Sequence, residues 1–538
     1  MMKRYAIALG LLCSLVLALP SQGFAAPLSV KKAQRRVQAH TVKSTVATYD
    51  EAQKPCDQQR NGDEWRYCDL RGSYGKALQH KCNGFLLPAA FDSMVHALNK
   101  GSQRSFNHIL LGGDRKLINP QASFAFSLAG NDGWVNCIPP APAFASVETS
   151  AEMVELYWAA LTRDVPFNHF HLDETVKQAV CELNRIKGFT GPRIKGRVTP
   201  HTFLRDNPEG NLEGPYISQF LYQTMPFGSL TMPPYSKVPL PGKENDFMTN
   251  FASWFKIVNG GPVTDKISYD PEVHFLRNTR DLGEYVHKDT PIQAGLTAAM
   301  ILLSYGKEAL DKSNPYFDNC TQDGFVTFGI VDVEALLAKA MEEAFKAAWF
   351  QKWQVHRRVR PEEYGFYVHE QLSQGVCLDI PKQLLNSRAL QETFNTFNSY
   401  FLPIAYPEGC PTHPSYPSGH ATAIGAMVTI LKAFFDEEFI IPNPLQPNLT
   451  NTALEPHVGV PLRVGGELNK LAGNIALGRN GAGVHYRSDA AAGLLLGEKV
   501  AINVLQNDGF LFHENFKGYC LTTFSGERIR VGGKRPVD

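Results

Sequence analysis

Charge of one sign is the first thing this sequence lacks: 53 Lys and Arg stand against 52 Asp and Glu in 538 residues. A near-neutral total offers no basic footprint for nucleic acid, so any cationic site has to be local. Also absent are a spaced Cys/His set of the zinc kind, a run of alternating strands and an internal repeat of solenoid length. Beyond the N-terminus, no apolar stretch approaches the length of a membrane span, so the mature chain is expected to be soluble. The 43% apolar content is enough to bury a large core, in one big helical domain or two smaller ones.

The N-terminal exception reads as an export signal over residues 1–25. Lys3 and Arg4 precede an apolar stretch at residues 5–19, and Pro20 and small residues lead to Ala25 and Ala26. Cleavage after Ala25 satisfies the small-x-small rule and sends the mature chain to the periplasm or the exterior. Cys13 leaves with the signal, and Cys56, Cys68, Cys82, Cys137, Cys181, Cys320, Cys377, Cys410 and Cys520 remain. Export permits disulfides, and an odd number leaves either a free thiol or a bridge between subunits.

Residues 26–49 are basic, polar and aperiodic, and are expected as an extended N-terminal arm. Over residues 50–270, short helical patterns such as 91–98 and 150–161 alternate with Pro- and Gly-rich loops, of the kind that covers a site or an interface. Residues 271–538 form the expected C-terminal helical region. There, residues 291–305 are apolar nearly all round, as in a helix buried within a bundle, and residues 331–358 read as one long helix ending before Pro361. The fold class is mainly α, with long loops and a few short hairpins around residues 509–534.

Three patches carry chemistry. Pro417-Ser418-Gly419-His420 opens the apolar run at residues 421–435. Serine is a preferred N-cap, glycine admits a close neighbour, and the resulting helix terminus presents bare N–H groups that favour an oxyanion. His420, in the first turn, adds a group that donates or accepts a proton there. In the second patch, residues 352–361, Trp349, Lys352 and His356 share one helix face while Arg360 leaves the helix end extended before Pro361. A lysine and an arginine can thereby converge on one point, although a solvated basic helix end has the same composition. In the third patch, Gly481 and Gly483 allow a tight loop carrying Arg479, and a new helix begins at about His485. Asp489, one turn later, is placed to hold the His485 imidazole in one tautomer, a task backbone carbonyls also perform.

Taken in order, Lys352…Arg360-Pro361, Pro417-Ser418-Gly419-His420 and Arg479…His485…Asp489 resemble the three-part signature shared by vanadium-dependent haloperoxidases and type 2 phosphatidic acid phosphatases. The resemblance covers residues 349–489 and implies an all-α, bundle-type core. Vanadate and phosphate are both tetrahedral oxyanions that can become five-coordinate, and both need cations and N–H donors around their equatorial oxygens. Lys352, Arg360, Arg479, Ser418 and the Gly419 N–H supply these donors. The resemblance makes His485 the apical nitrogen, bonding vanadium in a peroxidase or attacking phosphorus in a phosphatase, with His420 the acid-base group opposite.

Within this superfamily, several features resemble the bromoperoxidase branch. The Lys352-to-Arg360 interval is one residue longer than the usual phosphatase spacing, and Gly478 precedes Arg479 where many phosphatases have serine. His413 stands five residues before Ser418, where algal bromoperoxidases carry a histidine. The implied activity is oxidation of bromide and iodide by hydrogen peroxide to hypohalous acid, which halogenates small organic acceptors; Lys352 withdraws charge from the peroxide. Vanadate is the implied cofactor. Trp349 matches a tryptophan seen in some relatives, and Asp289 stands where relatives pair an aspartate with an active-site arginine, although capping of the Pro291 helix is the favoured explanation. Red algal relatives bind calcium near the loop at residues 314–323, which here lacks a recognisable ligand spacing. The alternatives are an exported acid phosphatase with His485 as nucleophile and a non-catalytic oxyanion-binding relative. Relatives that form dimers or dodecamers imply a homo-oligomer.

Overall fold

The structure is a computed structural model that describes residues 28–54 and 56–533. The export signal expected over residues 1–25 lies outside the described residues. Two compact units divide after Glu51. In the first, α1 spans Leu28–Glu51, so the arm expected to be extended is helical. This stretch contains no Gly or Pro and is rich in Ala, Lys, Arg and Gln, whose intrinsic propensity favours helix where no apolar stripe marks one.

The second unit, Ala52–Asp538, shows no division near residue 270. It is mainly α. The helices that position the site are α2 Val147–Leu161, α3 Thr279–Lys288, α4 Gln293–Ser304, α5 Ile330–Phe350, α6 Pro361–Gln374, α7 Gly419–Phe434, α8 Val464–Gly481 and α9 Arg487–Gly509. Strands are short and pair consecutively in antiparallel two-stranded sheets: β1 Met225–Phe227 with β2 Leu230–Met232, β3 Ser236–Pro239 with β4 Tyr269–His274, β5 Leu445–Pro447 with β6 Leu454–Pro456, and β7 Tyr519–Thr522 with β8 Arg528–Val531. The last pair is the hairpin read from residues 509–534.

Helix α7 is the axis of the bundle. Its residues from Ala421 to Phe434 are buried, as an all-round apolar helix must be, and it packs against α5, α8 and α9. The one charged side chain, Lys432, donates from Nζ to the Thr522 carbonyl at 2.9 Å. Contact with α9 is close because of two glycines: a Cβ at Gly497 would lie 2.1 Å from the Thr422 carbonyl oxygen, and one at Gly493 would lie 2.8 Å from that of Ser418. The helix start that carries Ser418 is thereby pressed against α9.

Helix α5 ends sooner than the sequence pattern suggests. The segment Gln351–His356 is π-helical, and Arg357 leaves it with φ +40°. Pro361 then occupies the first turn of α6, where its missing N–H costs nothing. The proline therefore starts a helix rather than stopping one.

Candidate active site

The Ser418 side chain caps α7 by accepting from the Ala421 N–H at 3.4 Å, and the Ser418 N–H donates to the Asp489 carbonyl at 2.9 Å. Beside it Gly419 is needed for space: a Cβ there would stand 3.3 Å from the Phe345 ring and 3.5 Å from Trp349. These two residues hold the helix N-terminus open inside the protein.

Cations converge on this terminus from two further segments. The π turn directs Lys352 inward, where it is fully buried and donates to the Pro414 and Ser415 carbonyls at 2.8 and 3.0 Å. Such wide turns are common at functional sites, because they rotate one side chain off the regular helical face. Arg360, extended at φ −81° and ψ 153° as the following proline requires, is also fully buried. It donates from Nε to the His413 carbonyl at 2.8 Å, from Nη2 to His413 Nδ1 at 2.9 Å, and from Nη1 to the Val484 carbonyl and to His485 Nε2 at 2.7 and 3.1 Å. Arg479 lies in the last turn of α8, not in a loop; the helix runs on to Gly481, and the reversal comes at Gly483 with φ +84°. Its Nη1 donates to the Val286 carbonyl at 2.9 Å and to the Tyr406 hydroxyl at 3.2 Å, while its Nε is buried with no partner.

The histidines are placed for different tasks. His485 lies just before α9, which begins at Arg487. Its Nδ1–H donates to Asp489 Oδ2 at 2.8 Å, leaving Nε2 as the lone-pair nitrogen among the cations. Burial, and then the charges of Arg360, Lys352 and Arg479, hold its pKa well below the ordinary histidine range, so the ring is neutral. His413 is likewise kept neutral, by burial and by Lys352 and Arg360; its ring lies 5.0 Å from that of Trp349. Trp349 Nε1 donates to the Ile118 carbonyl at 3.3 Å. The His420 side chain keeps 29% of its exposure, and its Nε2 is 3.1 Å from Asp289 Oδ1. Burial and Arg479 lower its pKa, against the opposing pull of Asp289. Asp289 is thus the partner of His420 rather than of an arginine, and it caps the C-terminus of α3 rather than the start of α4.

Asp489 is the most heavily bonded anion of the site. It accepts from His485 Nδ1, from the Tyr486 N–H at 3.1 Å, from the Ser415 hydroxyl, and from Arg358 Nη1 at 2.8 Å. Arg358 in turn donates to Glu152 at 3.0 Å and lies 3.8 Å over the Tyr486 ring. The sequence reading missed Arg358, Ser415 and Tyr406. Only Arg358 left a signal: in an extended segment, residues two apart share a face, which sets it beside Arg360.

His356, at the end of the π turn, donates from Nε2 to Gln351 Oε1 at 3.1 Å and packs on Tyr416. In the loop at residues 314–323 the oxygen side chains serve the loop itself: Asn314 Oδ1 accepts from the Tyr316 N–H, and Asn319 Oδ1 from those of Thr321 and Gln322. Among the described residues no group of three or more His, Cys, Asp or Glu is placed to hold a metal ion.

The donors thus form a buried cationic cage, and the comparisons show the family of the chain that carries it. A family model described as the VCPO second helical-bundle domain matches residues 332–513, the stretch that holds every cage residue. A vanadium-dependent bromoperoxidase of Ascophyllum nodosum is 34% identical over 491 residues, covering 86% of this chain and 87% of the relative. The chain belongs to the vanadium-dependent bromoperoxidase family. A second bromoperoxidase, from Corallina pilulifera, is 32% identical over 85% of this chain and 90% of its own length. The solved homohexameric second vanadate-dependent bromoperoxidase of Ascophyllum nodosum superposes with a TM-score of 0.89 at 27% identity, over 96% of this chain and 95% of that one. The bromoperoxidase fold is the mainly α bundle expected from the sequence.

The residues present fit a vanadate ion. The orphaned Arg479 Nε and the Lys352 ammonium are donors that the oxygens of a tetrahedral oxyanion satisfy and that no carboxylate satisfies here, and the lone pair of the neutral His485 Nε2 is a ligand that its central atom would take.

Proposed function

We propose that this chain is a vanadate-dependent peroxidase that uses hydrogen peroxide to oxidise bromide and iodide, with small organic molecules accepting the halogen. The observation that carries the reading is the neutral His485, its tautomer set by Asp489, with Nε2 inside a cage of Lys352, Arg360 and Arg479. The bromoperoxidase relatives, matching over most of the chain, favour vanadium chemistry over ester hydrolysis at that cage. His485 would hold the vanadium, and Lys352, Arg360, Ser418, Gly419 and Arg479 its oxygens. Bound vanadate supplies a Lewis acid that activates peroxide without haem.

The chain's own residues do the rest. Lys352 and the arginines withdraw negative charge from the oxygens, and the buried walls exclude water, which strengthens each of these interactions. His420, the partly exposed histidine, has Nε2 on Asp289, which holds its ring, so Nδ1 is the atom that would take and return a proton of peroxide. His413 and Trp349 line the same side as Lys352, at a place suited to an approaching halide.

Secretion fits the Cys56–Cys137 disulfide, since such bridges persist in oxidising compartments. Cys68, Cys82, Cys181, Cys320, Cys377, Cys410 and Cys520 are unpaired. No helix among the described residues is long and apolar enough to cross a membrane. Homo-oligomerisation is supported by the hexameric relative, which does not choose between the dimer and the dodecamer suggested by the sequence.

The test is bromination of a phenol indicator after loading the protein with orthovanadate. Peroxide-dependent bromination is expected. Release of phosphate from esters with no bromination would place the chain with the acid phosphatases, and equilibrium phosphate binding without turnover would leave only an oxyanion binder.

A further inference from the structure

Linked to Arg479 through Tyr406 is a second cluster of charges that the reaction does not use. His287, in the last turn of α3, has both ring nitrogens against carboxylates: Nδ1 is 2.9 Å from Glu284 Oε2 and Nε2 is 2.6 Å from Glu408 Oε1. Carboxylates accept and do not donate, so only the doubly protonated ring satisfies both contacts. The ring lies flat on Tyr406, with centroids 3.9 Å apart and planes 11° apart. Tyr406 reaches on to the active site. Its hydroxyl donates to the Gly283 carbonyl at 2.6 Å and accepts from Arg479 Nη1 at 3.2 Å, and the Arg479 guanidinium lies 5.2 Å from its ring centre.

We propose that His287, held as an imidazolium between Glu284 and Glu408, is a positioning residue that fixes Arg479 for the oxyanion through Tyr406. The inference rests on the oxyanion-site reading above. Its logic is geometric. Arg479 has two fixed contacts, the Val286 carbonyl on α3 and the Tyr406 hydroxyl, and both are anchored by His287, which is next to Val286 in sequence and stacked on Tyr406. Loss of the His287 proton removes one donor and leaves a carboxylate facing a lone pair, which loosens the segment carrying Tyr406 and Glu408 against α3.

The neighbouring groups favour the charged ring. From its own helix comes Glu284, which also accepts from Tyr269 of β4 at 2.6 Å; from the 406–409 segment come Glu408 and Tyr406. Arg115 and Lys76 both donate to the Glu408 carbonyl at 2.8 Å, and Lys76 is paired with Glu362. Burial opposes the imidazolium, but the two carboxylates outweigh it and raise the His287 pKa, while Glu408 is lowered to about 2. Because the folded pKa is raised, the brace is complete at low pH and is lost as pH rises through that pKa.

The experiment is equilibrium dialysis of orthovanadate, with phosphate as a second probe, against the metal-free full-length protein and His287→Gln across a pH series. Titration of the anion and of the cage is common to both proteins and cancels in the ratio of their dissociation constants. At low pH the variant is expected to bind about five- to tenfold more weakly, within the usual range of coupling between sites, and the ratio should fall towards one as the wild-type ring deprotonates. A ratio that is flat with pH, or close to one throughout, would overturn the inference and leave the oxyanion site intact. If wild type binds neither anion, both readings fall. Should His287→Gln not fold, Glu408→Gln decides: removing one carboxylate lowers the His287 pKa, so the alkaline loss of wild-type binding should move to lower pH, and an unmoved midpoint refutes the brace.

Discussion

Replacing Asp489 by asparagine isolates what its charge does for His485. The substitution keeps the size of the side chain and one accepting oxygen for His485 Nδ1, with the amide NH2 taking the place of the oxygen that faces Arg358, so the hydrogen bond from His485 Nδ1 becomes neutral and Nε2 loses basicity. Hydrogen bonds to a charged partner contribute about 1.5–3 kcal/mol and neutral ones about 0.5–1.5, so the ligand nitrogen loses roughly 1–2 kcal/mol. At about 1.4 kcal/mol per tenfold, that is a roughly five- to thirtyfold weaker hold on vanadate, in keeping with the about 10- to 100-fold losses usual for outer partners of metal ligands. Asp489 also neutralises Arg358, but Glu152 remains on that guanidinium at 3.0 Å, so the fold should lose only about 1–3 kcal/mol. The assay is vanadate retention by equilibrium dialysis and elemental analysis, with a thermal melt alongside. Glu152→Gln is the control, because it disturbs Arg358 from the far side and leaves the His485 contact untouched. Asp489→Asn is therefore expected to weaken vanadate binding well beyond the control at a comparable melt. Equal losses in the two variants would mean that Asp489 serves the fold and not the imidazole, and the reasoning would fail.

Asp289→Asn tests the proton-transfer pair. Asp289 raises the His420 pKa against burial and Arg479, so its loss should lower that pKa further and move the acid limb of the pH–rate profile to lower pH; a limb that stays or moves up would contradict the pairing. Cys56→Ser opens a bridge between residues 81 apart, for which loop entropy alone gives about 4–5 kcal/mol and experience about 2–4. The melting temperature should fall in the variant, and by a like amount when wild type is reduced; no change in either would show that the bridge contributes nothing.

What could be read from the sequence follows the range of the interactions involved. The Ser418 cap and the extended Arg360 were legible because each is set by immediate neighbours: a serine before an apolar helix, and a proline after the arginine. The end of α5 was not, since a π turn at Gln351–His356 has no residue code and arises where tertiary contacts on Lys352 outweigh regular helix bonding. Its wider turn also gives a place for the one-residue-longer interval between Lys352 and Arg360. Arg479 was misread as a loop residue because Gly481 and Gly483 look alike in sequence, whereas only Gly483 adopts positive φ. Asp289 was found, but its partner was not, because His420 lies 131 residues away. Arg358 with Asp489 is separated by the same 131 residues, and Ser415 with Asp489 by 74. No local pattern announces such pairs.

Those long-range pairs share a design that explains how so many cations can be buried together. Lys352, Arg360 and Arg479 are buried facing one another, and burial together with mutual repulsion pushes the Lys352 pKa well below its ordinary value and that of Arg360 down as well. Compensating carboxylates are present but stand one layer back: Asp489 behind His485, Glu152 behind Arg358, Asp289 behind His420, and Glu284 with Glu408 behind the Tyr406 that carries Arg479. Placed directly on the cations, the same carboxylates would fill the cage and compete with any oxyanion. Set behind histidines, an arginine and a tyrosine, they offset enough charge for the site to fold while leaving its inner face to be completed by an oxyanion.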